Sequence, residues 1–133
     1  MPRPTNALIV DDEAHVRVFL RMLLREVGIE NVWEAGDGSA AIAMADAHNP
    51  ELVLLDVNLP MTSGLEVLAR LAADHPGMPV IMVTSQSAMK TVLEAAKQGA
   101  IAYILKHSPK AETLRMLREA IDGLEDDEEE ENP

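Results

Sequence analysis

Cysteine is absent from this chain, which excludes disulfide frameworks, thiolate zinc sites and cysteine nucleophiles together. Aromatic residues are few, Trp33, Tyr103 and Phe19 being the only ones, so the rings that would sandwich a flavin are lacking. Long apolar runs are missing too: stretches such as Leu52-Val53-Leu54-Leu55 fall far short of a membrane span. Met1-Pro2-Arg3-Pro4-Thr5-Asn6 leads into a very short apolar run that ends in acids, unlike a signal peptide. Basic residues are outnumbered, 11 Lys and Arg against 23 Asp and Glu, for a formal net charge of -12. Direct binding to nucleic acid needs a basic stripe to neutralise phosphates, and none is visible. The reading is a cytoplasmic protein with no membrane insertion and no nucleic-acid contact of its own.

What is present suits one globular domain. At 133 residues, 47% hydrophobic and 26% charged, the chain can bury roughly two thirds of its unfolded surface around one core. Much of the negative charge is local. Residues 125–131 are seven consecutive acids, and the remaining 16 face 11 bases. Blocks of like charge are solvated as a rule. Residues 125–133 are therefore read as a disordered acidic tail, following a domain over residues 7–124 and an N-terminal extension over residues 1–6.

Short solid apolar runs alternate with longer stretches of helical period. Strand candidates are residues 7–10, 31–35, 51–55, 79–83 and 100–105. All but the second are nearly continuous in apolar residues, as strands covered on both faces are. Between them Val16, Phe19, Leu20, Leu23, Leu24 and Val27 recur at helical spacing, and similar stretches occupy residues 39–47, 64–73, 88–98 and 111–124. Within the fourth, Met89, Val92 and Ala96 could face partners or fill the core, and the core is the default for apolar residues at that spacing. Five βα units in series imply a parallel sheet with right-handed crossovers and helices on both faces. Ligands of such folds sit at the carboxyl ends of the strands.

Polar groups gather at those ends. Asp11-Asp12-Glu13 ends the first strand, Asp56 the third, Thr84-Ser85 the fourth and Lys106 the fifth. Two like charges 4 Å apart repel by about 4 kcal/mol at an effective dielectric near 20, so converging carboxylates require compensation. Hard oxygen ligands suit Mg²⁺, whereas His15 has no second histidine beside it for zinc. A carboxylate can attack phosphorus to give an aspartyl phosphate, a transfer governed by positioning and charge neutralisation. Asp56 would attack, Asp11 and Asp12 would hold the metal, Lys106 would add a positive charge, and Thr84 could donate its hydroxyl to the product. Taken singly, a strand-end Asp is often a helix cap and a strand-end Lys is usually solvated. Their joint placement carries the reading.

The set Ile9-Val10-Asp11-Asp12-Glu13, Asp56-Val57-Asn58-Leu59-Pro60 with Gly64, Val83-Thr84-Ser85 and Tyr103-Ile104-Leu105-Lys106 resembles the receiver domains of bacterial two-component response regulators. The resemblance covers residues 6–124 and is to single-domain receivers, similar to the chemotaxis response regulators, so no DNA-binding output domain is expected. It implies a five-stranded doubly wound (βα)5 fold of flavodoxin-like type, strand order 2-1-3-4-5. It also implies Asp56 as phosphoacceptor, with Asp12 and the Asn58 carbonyl as direct Mg²⁺ ligands and Asp11 as an acid reaching the metal through water. Lys106 matches the lysine that pairs with the phosphoryl group. Thr84 and Tyr103 match the coupled switch, read out at the α4-β5-α5 surface, and Asn58 and Gln86 match positions that tune acyl-phosphate lifetime. The implied partner is a histidine kinase or a histidine phosphotransfer protein. Such domains are signalling modules and not enzymes in the ordinary sense.

One departure stands out. Many receivers follow the lysine with proline in a cis peptide, whereas this chain has His107-Ser108-Pro109. A cis bond before a residue other than proline costs about 2.5 to 4 kcal/mol, so either a trans bond with a reshaped loop or a strained bond is expected. Among rivals, Gly36-Asp37-Gly38-Ser39-Ala40-Ala41 reads G-x-G-x-x-A, and Asp56 lies about twenty residues on, as in a dinucleotide-binding fold. That motif follows the second strand, and it would leave Asp11, Asp12, Thr84 and Lys106 without roles; in the receiver reading Gly36 and Gly38 make a tight turn. A flavin binder would need a phosphate loop where Asp11-Asp12-Glu13 stands, and an Asp phosphatase would need a second carboxylate at position 58. A pseudo-receiver, folded but never phosphorylated and acting as an interaction module, is the alternative from a different class.

Overall fold

A computed structural model describes residues 2–131, with side chains described as far as Glu125. The elements run β1 (Asn6–Val10), α1 (Ala14–Glu26), β2 (Asn31–Ala35), α2 (Gly38–His48), β3 (Val53–Leu55), α3 (Gly64–Asp74), β4 (Val80–Thr84), α4 (Met89–Lys97), β5 (Ala102–Leu105) and α5 (Lys110–Glu131). The strands form one sheet in the order β2-β1-β3-β4-β5, and each neighbouring pair is parallel. This is the flavodoxin-like arrangement that the resemblance implied.

Alternation along the strands divides the core in two. Ala7, Ile9, Leu54, Ile81 and Ile104 face one side and pack with Leu24 of α1 and Leu117 of α5. Leu8, Val10, Val53, Leu55 and Met82 face the other, against Leu68 and Leu71 of α3 and Ala95 of α4. Because side chains of a strand point alternately to opposite faces, runs without polar interruption are what a sheet covered on both sides requires.

Register places the site. Val10 is level with Ala35 and Leu55, and Thr84 with Leu105. The ladder then extends one residue past each strand end: Asp11 N donates to Ala35 O (3.1 Å), Asp56 N to Val10 O (3.0 Å) and Lys106 N to Thr84 O (2.9 Å). Asp11, Asp56 and Lys106 are thus fixed by backbone hydrogen bonds at a common sheet edge before any side chain interacts.

Three details differ from the sequence reading. In α4 the inward residues are Ala95, fully buried, and half-buried Val92, while Met89 is 69% and Leu93 60% exposed and Ala96 is also outside. The helix is turned so that two of its large apolar residues meet solvent, and the core default fails for Met89 and Ala96. The backbone of α5 continues to Glu131, so the acidic run placed in a disordered tail carries helical geometry. Glutamate is a good helix former, and neither proline nor a capping residue interrupts the helix there. Residues 132 and 133 of that tail lie outside the described residues. Third, β1 takes in Asn6, and two residues of the supposed extension are tied down: Arg3 pairs with Asp122 (2.7 Å) and Thr5 donates to Glu51 (2.8 Å).

Candidate functional site

The carboxyl edge of the sheet holds three acids. One oxygen from each of Asp11, Asp12 and Asp56 lies within 4.8 Å of the others. Asp11 and Asp56 are 1% and 2% exposed, whereas Asp12 is open to solvent. The buried pair is oriented in the same way twice, because each accepts the backbone N–H two residues on: Glu13 N to Asp11 Oδ1 (2.9 Å) and Asn58 N to Asp56 Oδ1 (3.0 Å). This turn chemistry is intrinsic to aspartate. It leaves the second oxygen of each free to face the gap between the strands.

Lys106 fills part of that gap. Its Nζ is 2.8 Å from Asp56 Oδ2, 2.7 Å from Asp11 Oδ2 and 3.2 Å from Glu13 Oε1. Burial alone would favour the neutral amine, but the Asp11 and Asp56 carboxylates outweigh it and hold the ammonium above the usual lysine range. Burial raises the Asp11 carboxyl above its ordinary value, and the nearby Asp56 charge adds to this, against the opposing pull of Lys106 and the Glu13 N–H. One ammonium does not balance this cluster. Lys106 approaches Asp11 Oδ2 off the hydrogen-bonding direction, and Oδ2 is buried without a hydrogen-bond donor. A set of hard oxygens, one of them buried and held only by that off-axis ammonium, fits a hard divalent cation.

The loop after β3 is locked by Gly64. A Cβ on this residue would lie 1.9 Å from the Asp56 carbonyl oxygen, and Gly64 N donates to Val57 O at 2.7 Å. The start of α3 therefore rests directly on the Asp56 peptide, a contact only glycine permits. Beside it, Asn58 Oδ1 accepts from Gln86 Nε2 (3.0 Å) and Asn58 Nδ2 reaches Ser85 Oγ (3.4 Å), which bridges the ends of β3 and β4. Tyr103, half-buried, donates its hydroxyl to Gln86 O at 2.6 Å. Its phenol is raised above the usual range by burial first and by the Asp56 charge second. Thr84 is fully buried, accepts from Gln86 N at 3.3 Å and makes no hydrogen bond to Asp56 among the described residues.

All the residues singled out in the sequence thus fall at one edge, in two linked groups. Asp11, Asp12, Asp56 and Lys106 form the charged centre; Asn58, Gln86, Thr84 and Tyr103 form a hydrogen-bonded rim. Sequence reasoning gave Glu13 no part, although it shares Lys106 and lies 3.5 Å from exposed His15. Its adjacency to the acid pair was the available signal. Among the described residues no peptide bond is cis, so the Lys106–His107 bond is trans. The loop beyond it turns back at once, Ser108 N donating to Leu105 O at 3.1 Å, and His107 is exposed.

The glycine-rich rival finds no phosphate cradle. Asp37 Oδ1 accepts from Ala40 N (2.7 Å) and so caps α2. Neither Gly36 nor Gly38 takes a positive φ, so the turn expected of them does not itself call for glycine; at Gly38 packing does, since a Cβ there would meet Thr62 Cγ2 at 2.2 Å.

The family model of the response regulator receiver domain matches residues 7–118. The chain belongs to this family. It is 39% identical over 116 residues to the probable transcriptional regulatory protein TcrX of Mycobacterium tuberculosis, covering 87% of this chain and 49% of that protein. It is 34% identical over 119 residues to the chemotaxis protein CheY of Pseudomonas aeruginosa, covering 88% and 93%. The chain spans about half the length of TcrX and of the similarly matched PdtaR. Among solved structures, a CheY-like receiver domain protein from Methanospirillum hungatei superposes with a TM-score of 0.83 at 28% identity, covering 93% of this chain and 98% of that one. The CheX-CheY-BeF3-Mg²⁺ complex from Borrelia burgdorferi gives 0.81 at 26%, covering 87% and 88%. As a receiver domain, the chain is a signalling module of two-component systems. Among the described residues no helix is long and apolar enough to cross a membrane.

Proposed function

We propose that this receiver accepts a phosphoryl group on Asp56 from a phosphohistidine of a histidine kinase or phosphotransfer protein, and signals through a conformational switch. The observation that carries the reading is Lys106 Nζ, 2.8 Å from Asp56 Oδ2 and 2.7 Å from Asp11 Oδ2 at the edge where three acids converge. Asp56 Oδ2 attacks phosphorus opposite the P–N bond of the donor. The P–N bond breaks, its electron pair returns to the ring nitrogen, and the imidazole leaves neutral when its other nitrogen carries a proton. The product is an acyl phosphate on Asp56.

The carboxylates of Asp11, Asp12 and Asp56, with the Asn58 main-chain carbonyl, would hold Mg²⁺, which when bound neutralises charge on the phosphoryl oxygens. Lys106 trades carboxylate for phosphoryl oxygen and keeps its charge throughout. Mg²⁺ and the phosphoryl mimic BeF3 both occur in the related complex from Borrelia burgdorferi. A groove of about 430 Å³ lined by Glu13, His15, Phe19, Leu105, Lys106 and His107 leaves room beside the site for the donor.

Switching follows from competition for Thr84 and Tyr103. A phosphoryl oxygen offers the Thr84 hydroxyl a stronger acceptor than any it has now. Moving Thr84 disturbs Gln86, whose carbonyl holds the Tyr103 hydroxyl. The free energy that shifts the population equals the difference in phosphoryl affinity between the two arrangements. Exposed Met89 and Leu93 of α4 and Leu105 of β5 then form the readout face.

Intact mass after incubation with a small acyl-phosphate donor, with and without Mg²⁺, tests the proposal. The expected result is one Mg²⁺-dependent phosphoryl gain, lost in Asp56→Asn. No gain in folded wild type, with the donor active on a control receiver, would overturn it in favour of a module that acts unphosphorylated. Gain in the mutant would place the acceptor elsewhere.

A further inference from the structure

Arg17 of α1 joins the acid cluster to the edge of the sheet. Its side chain is 21% exposed and its guanidinium serves two elements at once. Nη1 donates to the main-chain oxygen of Asp11 at 2.6 Å, and Nε to Glu34 Oε1 at 2.9 Å. Glu34 belongs to edge strand β2, and its second oxygen accepts from Arg21 Nη2 at 2.6 Å. Hydrogen bonding from Arg21 first, and then from Arg17, holds the Glu34 carboxyl below the usual range, so the clamp stays ionised at neutral pH.

The peptide that Arg17 grips is the one that leads into Asp12. Because the peptide group is planar, fixing the Asp11 oxygen fixes the direction in which the Asp12 N–Cα bond leaves. This matters for Asp12 more than for its neighbours. Asp11 and Asp56 are oriented by backbone N–H groups and by Lys106. Asp12 is exposed and, among the described residues, makes no side-chain hydrogen bond; its aim rests on its backbone. We infer that Arg17 is a positioning residue that, braced by Glu34, aims the Asp12 carboxylate at the cation. The inference rests on the reading of the acid cluster as a Mg²⁺ site.

Lysine would keep the charge of Arg17, but its single Nζ cannot reproduce a planar fork that holds a carbonyl and a carboxylate together. Arg21 provides the matched control, because it contacts Glu34 and Val32 O without touching the Asp11 peptide. Calorimetric titration of unphosphorylated protein with MgCl₂ reads the effect directly, with thermal melts of each variant alongside. Loss of such a supporting contact weakens metal binding by about 10-fold or more. Arg17→Gln and Arg17→Lys should both raise the half-saturating Mg²⁺ concentration by about 10-fold, with the phosphorylation rate recovered at saturating Mg²⁺. Arg21→Gln should melt earlier yet titrate as wild type. Wild-type titration by Arg17→Gln, full rescue by Arg17→Lys, or an equal weakening by Arg21→Gln would each overturn the inference. Absence of Mg²⁺ binding by wild type would instead overturn the reading of the acid cluster, and this inference with it.

Discussion

Lys106 is placed to serve both stability and the proposed chemistry. Two buried carboxylates converge on it, and removing one partner of a buried ion pair costs about 3 to 5 kcal/mol because the other charge is left uncompensated. Lys106→Met in EDTA should lose about 3 kcal/mol in urea melts, and added Mg²⁺ should return part of it. Equal stability with and without Mg²⁺ would contradict the cation reading. Gly64 sets a separate steric limit. With 1.9 Å between a Cβ and the Asp56 carbonyl oxygen, Gly64→Ala must displace either α3 or the loop after β3, at a cost of about 3 kcal/mol. Phosphorylation of Gly64→Ala should also slow, even at temperatures where circular dichroism shows it folded. The importance of Gly64 was half legible in the sequence, where it followed Asp56 at a telling distance. Its contact with the Asp56 carbonyl was not, since that depends on how closely α3 approaches β3.

The strand ends were legible because each proposed site residue closes a solid apolar run: Val10 before Asp11, Leu55 before Asp56, Leu105 before Lys106. Helix phase was harder. Residues 88–98 contain three alanines, which suit core and surface alike, and only the packing of Ala95 against the sheet settles which side faces in. Leu93→Ser should change stability by less than about 0.5 kcal/mol, whereas Ala95→Leu should cost about 2 kcal/mol by overpacking; chemical denaturation of the two checks this. The Arg17-Glu34-Arg21 contact was invisible, because α1 and β2 offer charged residues whose pairing depends on the edge position of β2. It has a pH signature. The Glu34 carboxyl is depressed in the folded state, so its contribution is present above the unfolded glutamate value and lost as pH falls through the folded one. Asp11 acts with the opposite sign, since its carboxyl is raised and its contribution is lost as pH rises. Comparing wild type with Glu34→Gln isolates the first effect: the stability difference should be largest near neutrality and shrink below about pH 5.

For the molecule as a whole, alternation of apolar runs and helical periods identified a doubly wound parallel sheet, while the order of its strands came from family resemblance. What the sequence reading misplaced was where α5 stops: it ended the helix at residue 124, because the acidic run pairs high helix propensity with like-charge repulsion. Its backbone is helical to Glu131, at the end of the molecule remote from Lys106, which lies before the start of α5. Deleting residues 126–133 should therefore leave the phosphorylation rate within about twofold, a change that is small beside the 10-fold effects of supporting contacts at the site.

The central claim, that Asp56 is the nucleophile, is tested most directly by trapping its acyl phosphate. Borohydride reduces an aspartyl phosphate to homoserine, and peptide mass mapping then locates the reduced residue. Homoserine at position 56, formed only after incubation with both donor and Mg²⁺, is the expected result. Homoserine at position 11 or 12 instead, or reduction at no residue in protein shown by intact mass to be phosphorylated, would contradict it.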